Sequence, residues 1–281
     1  MKQLLIMKGA GTMKHTLKSK LLVLCGLLLL LSGCTEVAIT GRKQFNLVPD
    51  STMNSMGFQA YSEFLTQNTL SKDYSKTQMV KRVGSRIQKA VEQYCAQNNL
   101  SDSLQGYQWE VNLIEDDQLN AWAMPGGKMV VYTGLLKVTQ SEAGLATVVA
   151  HEIAHVFAKH GAERMTQGLV VEMGGVALSK AMANKPAQTK DLLMKSYGAG
   201  AQIGVLLPYS RVHETEADHL GLIFMAMAGY NPNEAVNFWQ RMSVAKQGSQ
   251  TLEILSTHPA DSTRIRNIQQ LIPKAMQYYK Q

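Results

Sequence analysis

Residues 146–160 read ATVVAHEIAHVFAKH, two histidines and a glutamate inside an otherwise apolar run. Leu145, Val148, Val149, Glu152 and Val156 recur at helical spacing. Residues four apart on an α-helix are turned by only ~40° and displaced by ~6 Å along its axis. His151 and His155 therefore aim two imidazoles at one point. Glu152 reaches the same region from the side. Burying three ionisable groups without partners is costly, so something must satisfy them. This HExxH spacing is that of a zinc site whose glutamate acts as a general base on metal-bound water. Ala150 and Ala154 leave room above such a metal. The competing reading is a satisfied histidine pair in a core helix.

A catalytic zinc normally takes three protein ligands. His160 lies five residues past His155 with no glycine between. On a continuing helix that is ~140° off the ligand face, so His160 is expected at the surface or in support. SRVHETEADHLG, residues 210–221, offers Glu214, Glu216 and Asp218. Glu214 and Asp218 share a helical face, whereas Glu216 points elsewhere. One carboxylate of the pair can bind zinc while the other holds a ligand histidine through its free ring nitrogen. Spacing does not choose between them. Arg211, three residues before Glu214, is placed to support the carboxylates or an oxyanion.

Around this pair the chain reads as predominantly helical α+β. Asp50 or Ser51 is expected to cap a helix with Met53, Gly57, Ala60 and Phe64 on one stripe. Val83, Ile87, Val91 and Tyr94 mark a half-buried second helix near residues 75–98, with Cys95 beside the stripe. Trp109, Val111 and Leu113 alternate as in a strand. Pro125-Gly126-Gly127 then separates two short β-prone runs as a turn. Thr139 with Glu142 fits a capping box for the HExxH helix. Residues 166–206 read as buried, close-packed helices on either side of NKPAQTK. Glu172, Lys180 and Lys195 argue against a membrane-dipping hairpin there. Gly229 ends the next helix, and further helices follow Asn231-Pro232 and Pro259. No internal repeat is present.

The first 33 residues are expected to be a leader. Lys14, Lys18 and Lys20 precede the apolar run LLVLCGLLLLL, too short to span a bilayer at ~20 residues per crossing. The following LSGC resembles a bacterial lipoprotein signal, which implies cleavage before Cys34 and lipidation of that cysteine. Met1 and Met13 are both possible starts. The chain's net charge of +7 falls mostly in this leader, which holds five lysines and no acids. The remainder carries 23 basic against 21 acidic side chains and has no basic face for nucleic acid. Of three cysteines only Cys95 then stays free of leader and lipid, which excludes an intramolecular disulfide. Residues 35–48 lack periodicity and read as a tether.

NAWAMPGGKMVVYTGLL, HEIAHVFAKHGAERM, SRVHETEAD, GYNP and STHPADSTRI together resemble metallopeptidase family forty-eight. This gluzincin family includes the CAAX prenyl protease, the Oma-type protease and bacterial BepA- and LoiP-like members. The resemblance runs roughly from Ser75 to Leu271 and implies one zinc per chain, bound by His151, His155 and Glu214. It implies Glu152 as catalytic base and Asp218 supporting a ligand. It makes Asn120, Ala121, Trp122, Ala123 and Met124 an edge strand for substrate, bordering the HExxH helix. His258 is implied near the site as a gate. The expected organisation is a leader at 1–33, a lipid-anchored tether and helix at 34–70, and a gluzincin-type peptidase domain at 71–281. The expected activity is that of a zinc endopeptidase of a bacterial cell envelope. It would act on unfolded or misassembled envelope proteins and be held to the membrane through Cys34. Thr35 after the cysteine favours the outer membrane over the inner. The alternative is a chaperone-like assembly factor whose zinc site is latent or gated by histidine.

Overall fold

The computed structural model describes residues 34–202, 206–248, 258 and 262–280. The leader expected over residues 1–33 lies outside them. The chain enters through a small antiparallel hairpin, β1 (Cys34–Glu36) and β2 (Lys43–Phe45), paired from Cys34↔Phe45 to Glu36↔Lys43. The segment read as a tether is thus built into the domain, with Val37 buried in the main core. Its residues show no periodicity because the strands are only three residues long.

Helices α1 (Asp50–Gln67) and α2 (Tyr74–Gln97) follow. Pro49, not Asp50 or Ser51, occupies the cap position of α1. Its buried stripe is Met53, Gly57 and Tyr61; Ala60 is exposed. Asp73 caps α2 by accepting from the Lys76 N–H at 3.0 Å. Val83, Ile87, Val91 and Cys95 of α2 are wholly buried. Burial raises the Cys95 thiol to about 11, which marks it as an inert core side chain.

The sheet has three strands in the order β3 (Glu110–Ile114), β5 (Lys128–Tyr132), β4 (Ala121–Met124). β3 runs parallel to β5, and β4 runs antiparallel to it from Ala121↔Val131 to Met124↔Lys128. Gly126 and Gly127 make the turn at φ of 85° and 84°, a region closed to most side chains. β4 is an outer strand and packs beside the HExxH helix.

Short helix α3 (Leu136–Thr139) leads into α4 (Glu142–Phe157), which carries the HExxH segment. Ser141, not Thr139, caps α4 by accepting from the Gly144 N–H at 3.0 Å. Gln140 is left-handed at φ 59°, so Thr139 ends the preceding turn. Glu142 is engaged by Arg82 and Tyr230 instead of closing a capping box. α4 stops after Phe157 because Lys159 is also left-handed, at φ 57°. The helix does not continue through His160, which begins α5 (His160–Ala181).

α5 and α6 (Ala187–Ala201) pack on each other, with Tyr197 donating to the Val171 carbonyl at 2.9 Å. They are not buried as expected: Leu169, Val170, Met173, Val176 and Leu192 remain exposed. Gly174 serves the packing within the pair, since a Cβ there would clash with the Tyr197 hydroxyl. No helix among the described residues is long and apolar enough to cross a membrane.

α7 (Leu207–Met227), α8 (Glu234–Gly248) and α9 (Ser262–Ala275) complete the fold. The core joins Leu145 and Val149 of α4 to Leu220 and Phe224 of α7, Phe238 and Met242 of α8, and Ile268 of α9. Burying each such side chain stabilises the fold by roughly 1.5–3 kcal/mol. α4 and α7 come into close contact at Gly221, where a Cβ would lie 3.1 Å from the His151 N and Cα atoms. That approach brings the acidic turn of α7 to the HExxH face.

Candidate metal centre

His151, Glu152 and His155 project from α4 and are all buried. Their Nε2 atoms converge: His151 Nε2 and His155 Nε2 lie 3.1 Å apart. Glu214 of α7 enters the same space, Oε1 3.2 Å from His155 Nε2 and Oε2 3.4 Å from His151 Nε2. His258 comes from the segment before α9, its Nδ1 2.8 Å from Glu214 Oε2 and 3.2 Å from His151 Nε2. One ligand atom from each of His151, His155, Glu214 and His258 lies within 4.8 Å of the others. Nitrogen and carboxylate donors at ~2.0–2.2 Å from a tetrahedral zinc would be separated by similar distances, so the donor set fits zinc.

Glu152 strengthens that fit. Its Oε1 is buried and makes no hydrogen bond among the described residues. His258 Nε2 lies 3.5 Å from it. A buried carboxylate oxygen without a hydrogen bond is rare, and here it sits beside the donor cluster.

The supporting residues orient the ligands. Asp218 Oδ1 is 3.0 Å from His151 Nδ1, which leaves Nε2 facing the cluster. Arg264 of α9 grips Asp218 with bonds of 2.9 and 2.6 Å, lies 3.4 Å from Glu214 Oε2, and stacks over Trp239 at 3.5 Å. On the other ligand, His155 Nδ1 is 2.8 Å from His160 Nδ1, and His160 Nε2 is 2.9 Å from Glu216 Oε2. For His155 Nε2 to keep its lone pair, Nδ1–H must donate to His160 Nδ1, and His160 Nε2–H must donate to Glu216.

The electrostatics agree. Burial, aided by neighbouring imidazoles, pushes His155 well below its ordinary range, so it is neutral and can ligate. Burial, with the stacked His213 ring and the Arg42 guanidinium nearby, pushes His160 down to about 2. At His151, burial and Arg264 favour the neutral ring, but Asp218 and Glu214 outweigh them and lift it to about 9. A metal bound there would displace that proton. Burial alone would raise the Glu214 carboxyl; the imidazoles of His151, His155 and His258 hold it far below its usual range.

His151, Glu152 and His155 from the HExxH spacing, Glu214 and Asp218 from the α7 pair, and His258 from the family resemblance lie together in the structure. Arg211 is exposed, and the guanidinium at the carboxylates belongs to Arg264. A signal for Arg264 was available. It shares the apolar stripe of α9 with buried Ile268 and Ala275, an odd position for a cation. Of the two places expected for His160, the surface or a supporting role, the structure shows the second: the break at Lys159 turns it inward, wholly buried against His155. Glu216 does point elsewhere, but into a second buried cluster. Ala121 of the edge strand is buried and Trp122 packs edge-on against Phe64 at 4.8 Å. Ala123, with Pro125, lines a cavity of about 260 Å³ that reaches His155 and Val156.

Such a helix-borne HExxH pair, completed by a glutamate from a second helix, defines the class of zinc metallopeptidases. Residues 81–272 match the family described as peptidase family M48, and the chain belongs to that family. It is 36% identical over 243 residues to the mitochondrial metalloendopeptidase OMA1 of Schizosaccharomyces pombe, covering 85% of this chain and 66% of that one. It is 33% identical over 185 residues to OMA1 of Saccharomyces cerevisiae, covering 63% of this chain and 51% of the relative. The beta-barrel assembly-enhancing protease of Yersinia pestis is 33% identical over 161 residues, 54% of this chain and 32% of that protein. The chain thus spans between about a third and two thirds of these relatives.

Proposed function

We propose that this chain is a lipid-anchored zinc endopeptidase of a bacterial cell envelope, acting on unfolded or misassembled envelope proteins. The observation that carries the reading is Glu152 Oε1, buried and without a hydrogen bond among the described residues, beside the convergent donors of His151, His155 and Glu214. Zinc held by those three would supply a Lewis acid for the scissile carbonyl and lower the pKa of water bound to it. Glu152 Oε1 accepts a proton from the attacking water and returns it to the leaving amine. Asp218 and His160 keep the two ligand rings turned to the site. An extended substrate pairs its main chain with the outer edge of β4, along Asn120, Ala121, Trp122, Ala123 and Met124. Recognition by main-chain pairing is tolerant of sequence, as suits unfolded clients.

The cellular assignment rests on the leader and on Cys34, whose thiol is exposed at the start of β1. Thr35 after it favours the outer membrane. The Yersinia relative's name, a beta-barrel assembly-enhancing protease, is consistent with envelope clients. In this reading the leader is 1–33, and the segment 34–70 that carries the anchor packs on the peptidase residues 71–281 as part of one domain.

A gated or latent site is the second reading, and His258 favours it. Its Nδ1 sits within bonding distance of Glu214 and His151, where a fourth protein ligand would exclude water. The test measures zinc content and casein hydrolysis together. Wild type is expected to carry one zinc and cut casein; Glu152→Gln keeps the zinc and loses cleavage. Retained cleavage would refute the base assignment. Activity that appears only in His258→Ala would establish the gate.

A further inference from the structure

The hairpin before α1 ends in a turn, Thr40-Gly41-Arg42, that reaches a buried polar cluster next to the metal centre. Arg42 Nη1 and Nη2 bind both oxygens of Glu163 at 3.0 and 2.8 Å, and its Nε binds Glu216 Oε2 at 2.8 Å. The Thr40 hydroxyl also donates to Glu216. Glu163 and Glu216 are 2% and 5% exposed. His213 Nε2 lies 2.9 Å from Glu163, and its ring stacks on His160 at 4.2 Å. Glu216 in turn holds His160, and His160 holds the ligand His155.

We propose that Thr40 and Arg42 are positioning residues of the metal centre: they clamp Glu163 and Glu216, and so fix His160 and the ring of His155. The inference rests on His155 being a metal ligand, as proposed above. Two buried carboxylates side by side repel each other unless a cation lies between them. Arg42 places one guanidinium fork across both, which a lysine's point charge cannot reproduce. Buried ion clusters are a poor source of net stability, because desolvation offsets their attraction. What this one supplies is geometry. The carboxylate of Glu216 stays where His160 Nε2–H can donate to it. That leaves His160 Nδ1 as the acceptor for His155 Nδ1–H, and the His155 lone pair on Nε2. The hairpin that begins at Cys34 thereby ends on the support of a ligand.

The test compares the full chain with Arg42→Gln, Thr40→Val and Val37→Ala. Zinc affinity is read by competition with a chromophoric chelator, and site symmetry by the visible spectrum of the cobalt(II)-substituted protein. Losing an outer support of a ligand histidine typically weakens metal binding by about 10–100-fold. Arg42→Gln is expected to fall in that range with an altered cobalt spectrum, and Thr40→Val to show a smaller loss in the same direction. Val37→Ala, which loosens the hairpin's core packing without touching the cluster, is expected to lower thermal stability and leave affinity and spectrum unchanged. Wild-type affinity and spectrum in Arg42→Gln would overturn the proposal. So would equal losses in Val37→Ala, which would reduce the hairpin to a structural brace. If Arg42→Gln does not fold, an unchanged Thr40→Val overturns it alone. Failure of wild type to bind zinc would instead sink the metal-site reading beneath it.

Discussion

Replacing Arg264 by Met should destabilise the metal-free protein by about 3 kcal/mol, the low end of the ~3–5 kcal/mol for breaking a buried ion pair. The side chain is 7% exposed and makes two bonds to Asp218. Met keeps the aliphatic stem but not the guanidinium stacked over Trp239 at 3.5 Å, so the loss of that stack adds to the effect in the same direction. The low end applies because His151 Nδ1 stays 3.0 Å from Asp218, and its ring carries a proton up to about 9. For a chain this size, ~2–4 °C per kcal/mol converts to a melting point lower by ~6–12 °C. The pH dependence gives a second check. His151 is raised above its unfolded value near ~6.5, so its contribution is full below that value and lost as pH rises through about 9. Arg264 is one of the groups holding it down, so in the variant its pKa climbs further. Between the two folded values the variant's native state holds the extra proton and loses stability faster as pH rises. The gap between the proteins is therefore flat from pH ~7 to ~8 and widens above about 9. Urea unfolding in chelator at pH ~7.5 and ~10 measures both quantities. A loss below ~1 kcal/mol, the level of an exposed pair, would refute the reasoning. So would a gap that shrinks in alkali.

Three further substitutions test the placement of α7. Glu214→Ala should weaken zinc binding beyond the ~10–100-fold of a supporting residue, with Glu216→Ala inside that range; equal losses in a chelator competition overturn the choice of third ligand. Gly221→Val should cost ~1–3 kcal/mol by overpacking against the His151 backbone. It should also weaken zinc binding by pushing Glu214 away from α4. A lower denaturation midpoint with unchanged zinc affinity would disconnect that packing from the site.

The sequence alone was enough for the centre of the site and the class of fold. HExxH is a local device: helical geometry places His151, Glu152 and His155 together whatever else the chain does. The same holds for Glu214 and Asp218, four apart on one face, and for the sheet turn that needs glycines at positive φ. What lay beyond reach depends on contacts between segments far apart in the chain. Glu214 became distinguishable from Asp218 by geometry only when α7 closed on α4 at Gly221 and put Asp218 behind His151, against Arg264. Spacing left His160 between the surface and a supporting role; it supports His155 because a single left-handed residue, Lys159, ends a helix that periodicity would continue. Arg42 and its carboxylates span more than a hundred residues of chain, and no spacing rule connects them. Local backbone geometry is written in short patterns, whereas pairing of buried charges is decided by which surfaces the whole core brings into contact.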